Sequence, residues 1–162
     1  MFSKLYDARS SANLKQMQFF PLPINFHISF GIRFLEHYKI DVRTGLMLVS
    51  EDYWAGDKGI FFQTDIPDSK FYGKAGIDFA NNGGEAHGVV DYSESGGRTT
   101  YYCLGVGIRT SKHFNAELMY YFPVDKVFGY NNVYDFNTNT STKYDKINYG
   151  MINIGFQYLI TF

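Results

Sequence analysis

The clearest pattern in the chain is a strict alternation of apolar and polar residues. Between Ile24 and Phe34 every second residue is Ile or Phe, and Asn, His, Ser, Gly and Arg stand between them. A strand places successive side chains on opposite faces, whereas a helix would scatter these apolar side chains around its circumference. The segment is therefore predicted to be a β-strand with one apolar face, long enough to cross a bilayer at a tilt.

Six further segments repeat this period of two, at residues 40–48, 60–66, 71–79, 101–109, 114–122 and 152–162. The connections between the segments alternate in length. Short ones lie at 35–39, 67–70 and 110–113, and long, polar ones rich in Gly and Asn lie at 50–59, 80–99 and 123–146. Short turns on one side and long loops on the other are typical of outer-membrane barrels. We predict an all-β fold in which residues 21–162 form a transmembrane antiparallel up-and-down barrel.

The polar face carries charges of both signs, and its orientation decides the class of barrel. A soluble, ligand-binding barrel turns its apolar face inward, whereas a membrane barrel turns that face to lipid. The apolar face is crowded with Phe, Tyr and Ile, and its aromatic residues cluster near strand ends, as at a membrane interface. We therefore predict a membrane barrel. Its predicted lumen residues are Arg33, Asp41, Arg43, Lys74, Asp78, Arg109 and Glu117.

Composition removes several other classes of protein. Lys plus Arg is 15 and Asp plus Glu is 16, so the near balance gives no electrostatic reason to expect nucleic acid as a partner. A single Cys excludes a disulfide scaffold and a Cys-based zinc site. The acidic residues of the long connections are expected to be solvated, so we predict no metal and no cofactor. A mean hydropathy of −0.23 does not argue against a membrane barrel, because alternation hides the apolar band from such an average.

The last residues, G-F-Q-Y-L-I-T-F, resemble the terminal strand of bacterial outer-membrane proteins, with Phe156, Tyr158 and Phe162 as the matching aromatics. Residues 19–162 as a whole resemble the small barrels typified by OmpX and the OmpA membrane domain. The Asn-, Tyr- and Phe-rich loops are similar to those of the porin-family barrels of Bacteroidota, including the PorT-like group. The resemblance implies a Gram-negative outer-membrane protein with extracellular loops. Its implied partners are outer-membrane lipid, lipopolysaccharide and the barrel-insertion machinery.

The N-terminal residues raise a question of strand count. They contain no secretory signal, because an apolar region and a cleavage site are both missing. An eight-stranded barrel has both termini on the periplasmic side, so the strand at Ile24–Phe34 should follow an earlier strand. We expect seven of the eight strands in this chain. Residues 1–20 are then an outer loop and the first strand lies upstream of Met1, or a remnant of that strand lies within residues 2–9.

The lumen and the loops suggest different roles. In an eight-stranded barrel the lumen is just wide enough to be filled by side chains, so mixed charges predict an ion-pair network that plugs it rather than a small-solute channel. The favoured function is then structural or interaction-based, with long loops that contact an extracellular ligand or another envelope protein. The loop aromatics predicted to bind are Tyr92, Tyr130, Tyr134 and Phe136.

One short motif suggests enzyme chemistry. His27 and Ser29 lie on the same strand face, and Asp41 on the neighbouring strand could orient the imidazole. This His-x-Ser pattern resembles that of the lipid A 3-O-deacylases, which are also small outer-membrane barrels. In this chain Phe30–Gly31 replaces the Asn-Ala that follows the family motif, and the acid is Asp rather than Glu. Catalysis by His27, Ser29 and Asp41 is kept as the alternative to a non-enzymatic role.

Overall fold

The computed structural model describes residues 3–5, 23–48, 53–84, 92–135 and 138–160. All regular structure in these residues is β-strand, and no helix among them is long and apolar enough to cross a membrane. The strands are β1 (Ser3–Leu5), β2 (Ile24–Phe34), β3 (Tyr38–Leu48), β4 (Tyr53–Asp65), β5 (Phe71–Gly84), β6 (Tyr92–Gly96), β7 (Arg98–Arg109), β8 (Phe114–Pro123), β9 (Val127–Asp135), β10 (Thr140–Asn148) and β11 (Met151–Ile160).

Seven strands close into a barrel in the order β11-β2-β3-β4-β5-β7-β8. All neighbours are antiparallel except β11 and β2, which pair in parallel from Ile154↔Ile24 to Ile160↔Phe30. A parallel pair is unavoidable here, because an up-and-down barrel with an odd number of strands has its first and last strands running in the same direction. The predicted all-β barrel and its seven alternating strands are confirmed.

The remaining strands form a second sheet in the order β1-β10-β9-β6. The hairpin of β9 and β10 connects the end of β8 to the start of β11, so this sheet lies at the barrel end opposite the short turns. β1 pairs with β10 from Ser3↔Asn148 to Leu5↔Lys146, and it is not part of the barrel. No eighth barrel strand is found in the described part of the chain.

The prediction that residues 50–59, 80–99 and 123–146 are loops is wrong for much of their length. β4 begins at Tyr53, β5 continues to Gly84, and β6, β9 and β10 occupy most of the rest that the structure describes. The sequence pattern missed these strands because polar residues and glycines replace the apolar ones there. Backbone pairing alone maintains a strand beyond the end of its apolar face.

Burial alternates along every barrel strand, and its sense is the reverse of that in a soluble protein. The inward side chains are mostly polar or charged, and those of Ser29, Asp41, Asp78 and Gln157 are fully buried. The outward side chains are mostly apolar and exposed, up to 78% for Ile32. The barrel therefore has a polar lumen and an apolar outer surface.

Aromatic side chains gather at the short-turn end of this outer surface. Near the turn between β2 and β3, the ring centroid of Phe62 lies 6.2 Å from that of Phe34 and 5.7 Å from that of Tyr38. Near the turn between β7 and β8, the ring of His113 stacks on Tyr158 at 6.0 Å. Both groups lie beside short turns, at the same end of the barrel.

Candidate functional site

Large side chains occupy the lumen. The largest come from six of the seven barrel strands, so no single strand or hairpin builds the site. The largest fully buried ones are Arg43, Tyr72, Tyr101, Tyr121, Phe61, Met47, Met119, Met151, Gln63 and Gln157.

Arg43 is the centre of the ion-pair network. Its Nη2 donates to Asp78 Oδ2 at 2.8 Å and to the Tyr121 hydroxyl at 2.5 Å, and its Nη1 donates to Glu117 Oε2 at 3.3 Å. The guanidinium also lies over the Phe61 ring, with Cζ 3.7 Å from the centroid. One cation thus joins residues from four strands, because a planar guanidinium can donate in several directions and stack at the same time.

Lys74 continues the network towards the short turns. Its Nζ donates to Glu117 Oε1 at 2.8 Å and to Asp41 Oδ2 at 3.0 Å. Glu117 Oε1 also accepts from the Tyr72 hydroxyl at 2.9 Å, and Asp41 Oδ2 accepts from Gln157 Nε2 at 2.8 Å. Two cations and three carboxylates are therefore linked through buried hydrogen bonds, which is the arrangement that makes buried charges tolerable.

The structure brings five of the seven predicted lumen residues into this network: Asp41, Arg43, Lys74, Asp78 and Glu117. The other two, Arg33 and Arg109, converge on Asp65 at the short-turn end. Arg33 Nη1 donates to Asp65 Oδ2 at 2.8 Å, but its side chain is 49% exposed. These two arginines form a separate group at the barrel mouth.

Glycines in the sheet register let these groups meet. His27, Gly45 and Asp57 lie in one register row across β2, β3 and β4, and the two side chains meet over the glycine. A Cβ on Gly45 would lie 2.7 Å from His27 Cδ2 and would overlap the backbone of β2. In the neighbouring row, Gly59 separates Arg43 from Asp78 in the same way.

A third row repeats this arrangement on the other side of the barrel. Gly107 lies between Tyr72 and Glu117, and a Cβ there would overlap the Tyr72 ring. An inward glycine between two polar residues is therefore how this barrel connects side chains that are two strands apart.

The proposed enzyme-like group has a different geometry from the one expected. His27 Nε2 lies 2.7 Å from Asp57 Oδ2, so Asp57 and not Asp41 is the carboxylate beside the imidazole. Ser29 Oγ instead donates to Asp41 Oδ2 at 3.2 Å. The serine hydroxyl is thus hydrogen-bonded to a carboxylate rather than to the histidine that would activate it, and all four side chains face the lumen.

The loop aromatics and the C-terminal aromatics are described only in part. Tyr92 belongs to β6, and Tyr130 and Tyr134 belong to β9. Phe156 and Tyr158 lie on the outer face of β11, where Tyr158 is exposed. Phe136 and Phe162 lie outside the described residues.

Sequence reasoning missed several lumen residues. Asp57 was assigned to a solvated loop, and Tyr72 and Tyr121 were not singled out. The signal was present for the tyrosines, because both stand at inward positions of their alternating segments. Lys39 was predicted to lie in a turn, because it stands one residue before the apolar alternation of β3 begins. In the structure it is a buried residue of β3, and its Nζ has no hydrogen-bond partner among the described residues.

The chain was compared with protein-family models, with curated proteins and with solved structures, and none of them matches it.

Proposed function

We propose that this chain is an integral β-barrel protein of the Gram-negative outer membrane, of the small OmpX or OmpA-membrane-domain type. One observation carries the proposal, namely the reversed burial of the barrel. Its outer surface is apolar on all seven strands, whereas the lumen holds ion pairs. Monomeric soluble proteins rarely expose contiguous apolar patches larger than a few hundred Å². Lipid is the environment that such a predominantly apolar outer surface fits.

The dimensions of the strands support the same environment. β2 and β3 each have 11 residues. At ~3.3 Å per residue and a tilt of ~40°, such a strand spans ~28 Å, close to the ~25 Å apolar band of outer-membrane barrels. The aromatic groups at the short-turn end lie where the interfacial girdle of such a barrel would be. Of the outward polar residues, Asn81 and Arg98 lie towards the opposite ends of β5 and β7, whereas Lys58 lies near the middle of β4.

We further propose that side chains plug the lumen and that the protein binds its partners through the segments at the extracellular end of the barrel. The Arg43 and Lys74 network ties together strands from all sides of the barrel, and a conducting path would have to break it. The second sheet lies at the end opposite the short turns. If the short turns face the periplasm, as in outer-membrane barrels, this sheet faces the outside of the cell. Its backbone carries Tyr92, Tyr130 and Tyr134, and aromatic residues contribute strongly to binding surfaces.

Membrane insertion is tested with the protein refolded in detergent and run on an SDS gel before and after boiling. A folded outer-membrane barrel resists SDS until it is heated, so two positions are expected, and the refolded protein should float with lipid vesicles. A single position in the gel, together with a monomer that stays in solution without detergent, would contradict the proposal.

The plug and the surface role are tested separately. In planar bilayers the unmodified protein should give no stable conductance steps, whereas Arg43→Ala should introduce them by opening the centre of the network. Steps of equal size in both proteins would contradict the plug. Replacing Tyr130 and Tyr134 by Ala should weaken binding of lipopolysaccharide micelles while the heat-dependent gel shift is retained, and unchanged binding would exclude these residues as contacts for that partner.

A further inference from the structure

A second group of side chains in the lumen shares Asp78 with the Arg43 network and adds an imidazole and one more carboxylate to it. His27, Asp57 and Asp78 each place one potential ligand atom within 4.8 Å of the others. The three residues come from β2, β4 and β5 and are 3%, 3% and 0% exposed. They are therefore gathered by the barrel register, away from bulk water.

The two carboxylates of this group have few cationic partners. Asp57 has the His27 imidazole, 2.7 Å away, as the hydrogen-bond partner of its carboxylate in the described structure. Asp78 is paired with Arg43, but Arg43 is also shared with Glu117. A second cation beside Asp57 would therefore be favourable, because buried carboxylates are stabilised by nearby positive charge.

Three ligand atoms in the group also lack hydrogen-bond partners. Among the described residues, nothing bonds to His27 Nδ1, Asp57 Oδ1 or Asp78 Oδ1, although all three atoms are buried. Buried polar atoms are nearly always satisfied by protein, water or an ion, so unpartnered oxygens on two adjacent carboxylates point to a ligand that both can reach. A small cation would satisfy both oxygens.

We propose that His27, Asp57 and Asp78 bind a divalent transition-metal ion such as Zn²⁺ or Co²⁺. One imidazole nitrogen and two carboxylate oxygens suit first-row transition metals, whereas Ca²⁺ and Mg²⁺ prefer oxygen ligands alone. Three protein ligands leave a coordination position for water. The ion binds the lone pair of one imidazole nitrogen while the proton of the neutral ring stays on the other nitrogen, so a neutral His27 loses no proton, and the two carboxylates balance the charge of the ion.

The surrounding structure holds the ligands in place before the metal arrives. Gly45 leaves the space in which the imidazole reaches across β3, and Arg43 fixes one oxygen of Asp78 and leaves the other free. This site does not depend on the membrane location of the barrel, only on its fold. It also replaces the expectation that Asp57 is a solvated loop charge.

The test is a Co²⁺ titration of the refolded, metal-stripped protein in detergent, followed by the visible absorption of the bound ion. One equivalent is expected to bind to the unmodified chain. His27→Gln, Asp57→Asn and Asp78→Asn should each weaken binding by at least about 10-fold. Asp65→Asn is the matched control, since it changes a buried lumen aspartate outside the group and should bind Co²⁺ normally.

X-ray absorption of the Co²⁺-loaded unmodified protein identifies the ligands of the ion without the use of a variant. It should show one imidazole and otherwise oxygen ligands at about 2.0–2.2 Å. Absence of binding by protein that still shows the heat-dependent gel shift would overturn the proposal. Equal affinity in folded His27→Gln, or two or more imidazoles at the metal, would also overturn it. Failure of the gel shift itself would instead count against the membrane barrel.

Discussion

Replacing Arg43 by Met tests whether the lumen is held together by the ion pairs described above. The substitution keeps an unbranched apolar stem and removes the charged guanidinium. It deletes the hydrogen bonds to Asp78, Glu117 and Tyr121 and the stacking on Phe61. After the change, Glu117 keeps Lys74 at 2.8 Å, but Asp78 has no cation left within ion-pair distance in the described structure.

The expected loss follows from that difference between the two carboxylates. Breaking a buried ion pair costs about 3–5 kcal/mol when one charge is left behind. Because only Asp78 is stranded, we expect Arg43→Met to lower the free energy of unfolding by about this amount and not by twice as much. Arg33→Met is the control at the barrel mouth, where the side chain is 49% exposed, and it should cost less than about 1 kcal/mol.

The assay is urea unfolding of protein refolded in detergent, with a chelator present to exclude metal ions. Trp54 is the sole Trp of the chain and lies on the outer face of β4, so its fluorescence reports the loss of the barrel. The double variant Arg43→Met/Asp78→Asn adds a decisive comparison. Removing the stranded charge should make the double variant more stable than Arg43→Met alone, because replacing a whole buried pair is often close to neutral.

Two results would refute this reasoning. If Arg43→Met costs no more than Arg33→Met, the network contributes little and packing alone stabilises the lumen. If Asp78→Asn lowers stability equally in the presence and absence of Arg43, the loss does not come from a stranded carboxylate.

Three further predictions address other parts of the fold. Gly45→Ala should cost about 1–3 kcal/mol in urea unfolding, because the new Cβ would overlap the backbone carbonyl oxygen of Phe26 and lie 2.7 Å from His27 Cδ2. Gly56→Ala, whose Cβ meets nothing within 4 Å, should be neutral, and equal unfolding midpoints for the two variants would contradict the role of Gly45 as a spacer. Val42→Lys on the outer face should cost about 2–4 kcal/mol in vesicles and Val42→Leu little, and no difference would argue against lipid contact. Replacing residues 127–148 by a short Gly-Ser turn should leave the heat-dependent gel shift unchanged, since that hairpin belongs to the second sheet; loss of the shift would show that the barrel needs it.

Alternation in the sequence was sufficient for the strands that have one apolar face. The predicted and observed bounds of β2 coincide at Ile24 and Phe34. Alternation no longer identifies a strand beyond the end of its apolar face, as in β4. There Lys58 points outward and Asp57 inward, so the pattern appeared to stop although the strand continues to Tyr53.

The same pattern identified which residues face the lumen, but not which of them touch. Contacts between side chains depend on the register of neighbouring strands, and the alternation of a single strand carries no information about it. Asp41 was expected beside His27, yet the register pairs Asp41 with Gly31 and puts Gly45 opposite His27. The partner of His27 is therefore Asp57 on β4, two strands away, and the two side chains meet only because Gly45 lies between them in the register.

The parallel pair of β11 and β2 also determines where the chain enters and leaves the barrel. Both strands run from the end near the second sheet to the end with the short turns, so Pro23 and Ile160 lie at opposite mouths. In a bilayer, a reporter joined ahead of β2 and one joined after β11 would be exposed to different compartments. Impermeant labelling of two such fusions would therefore read the transmembrane orientation of the barrel directly.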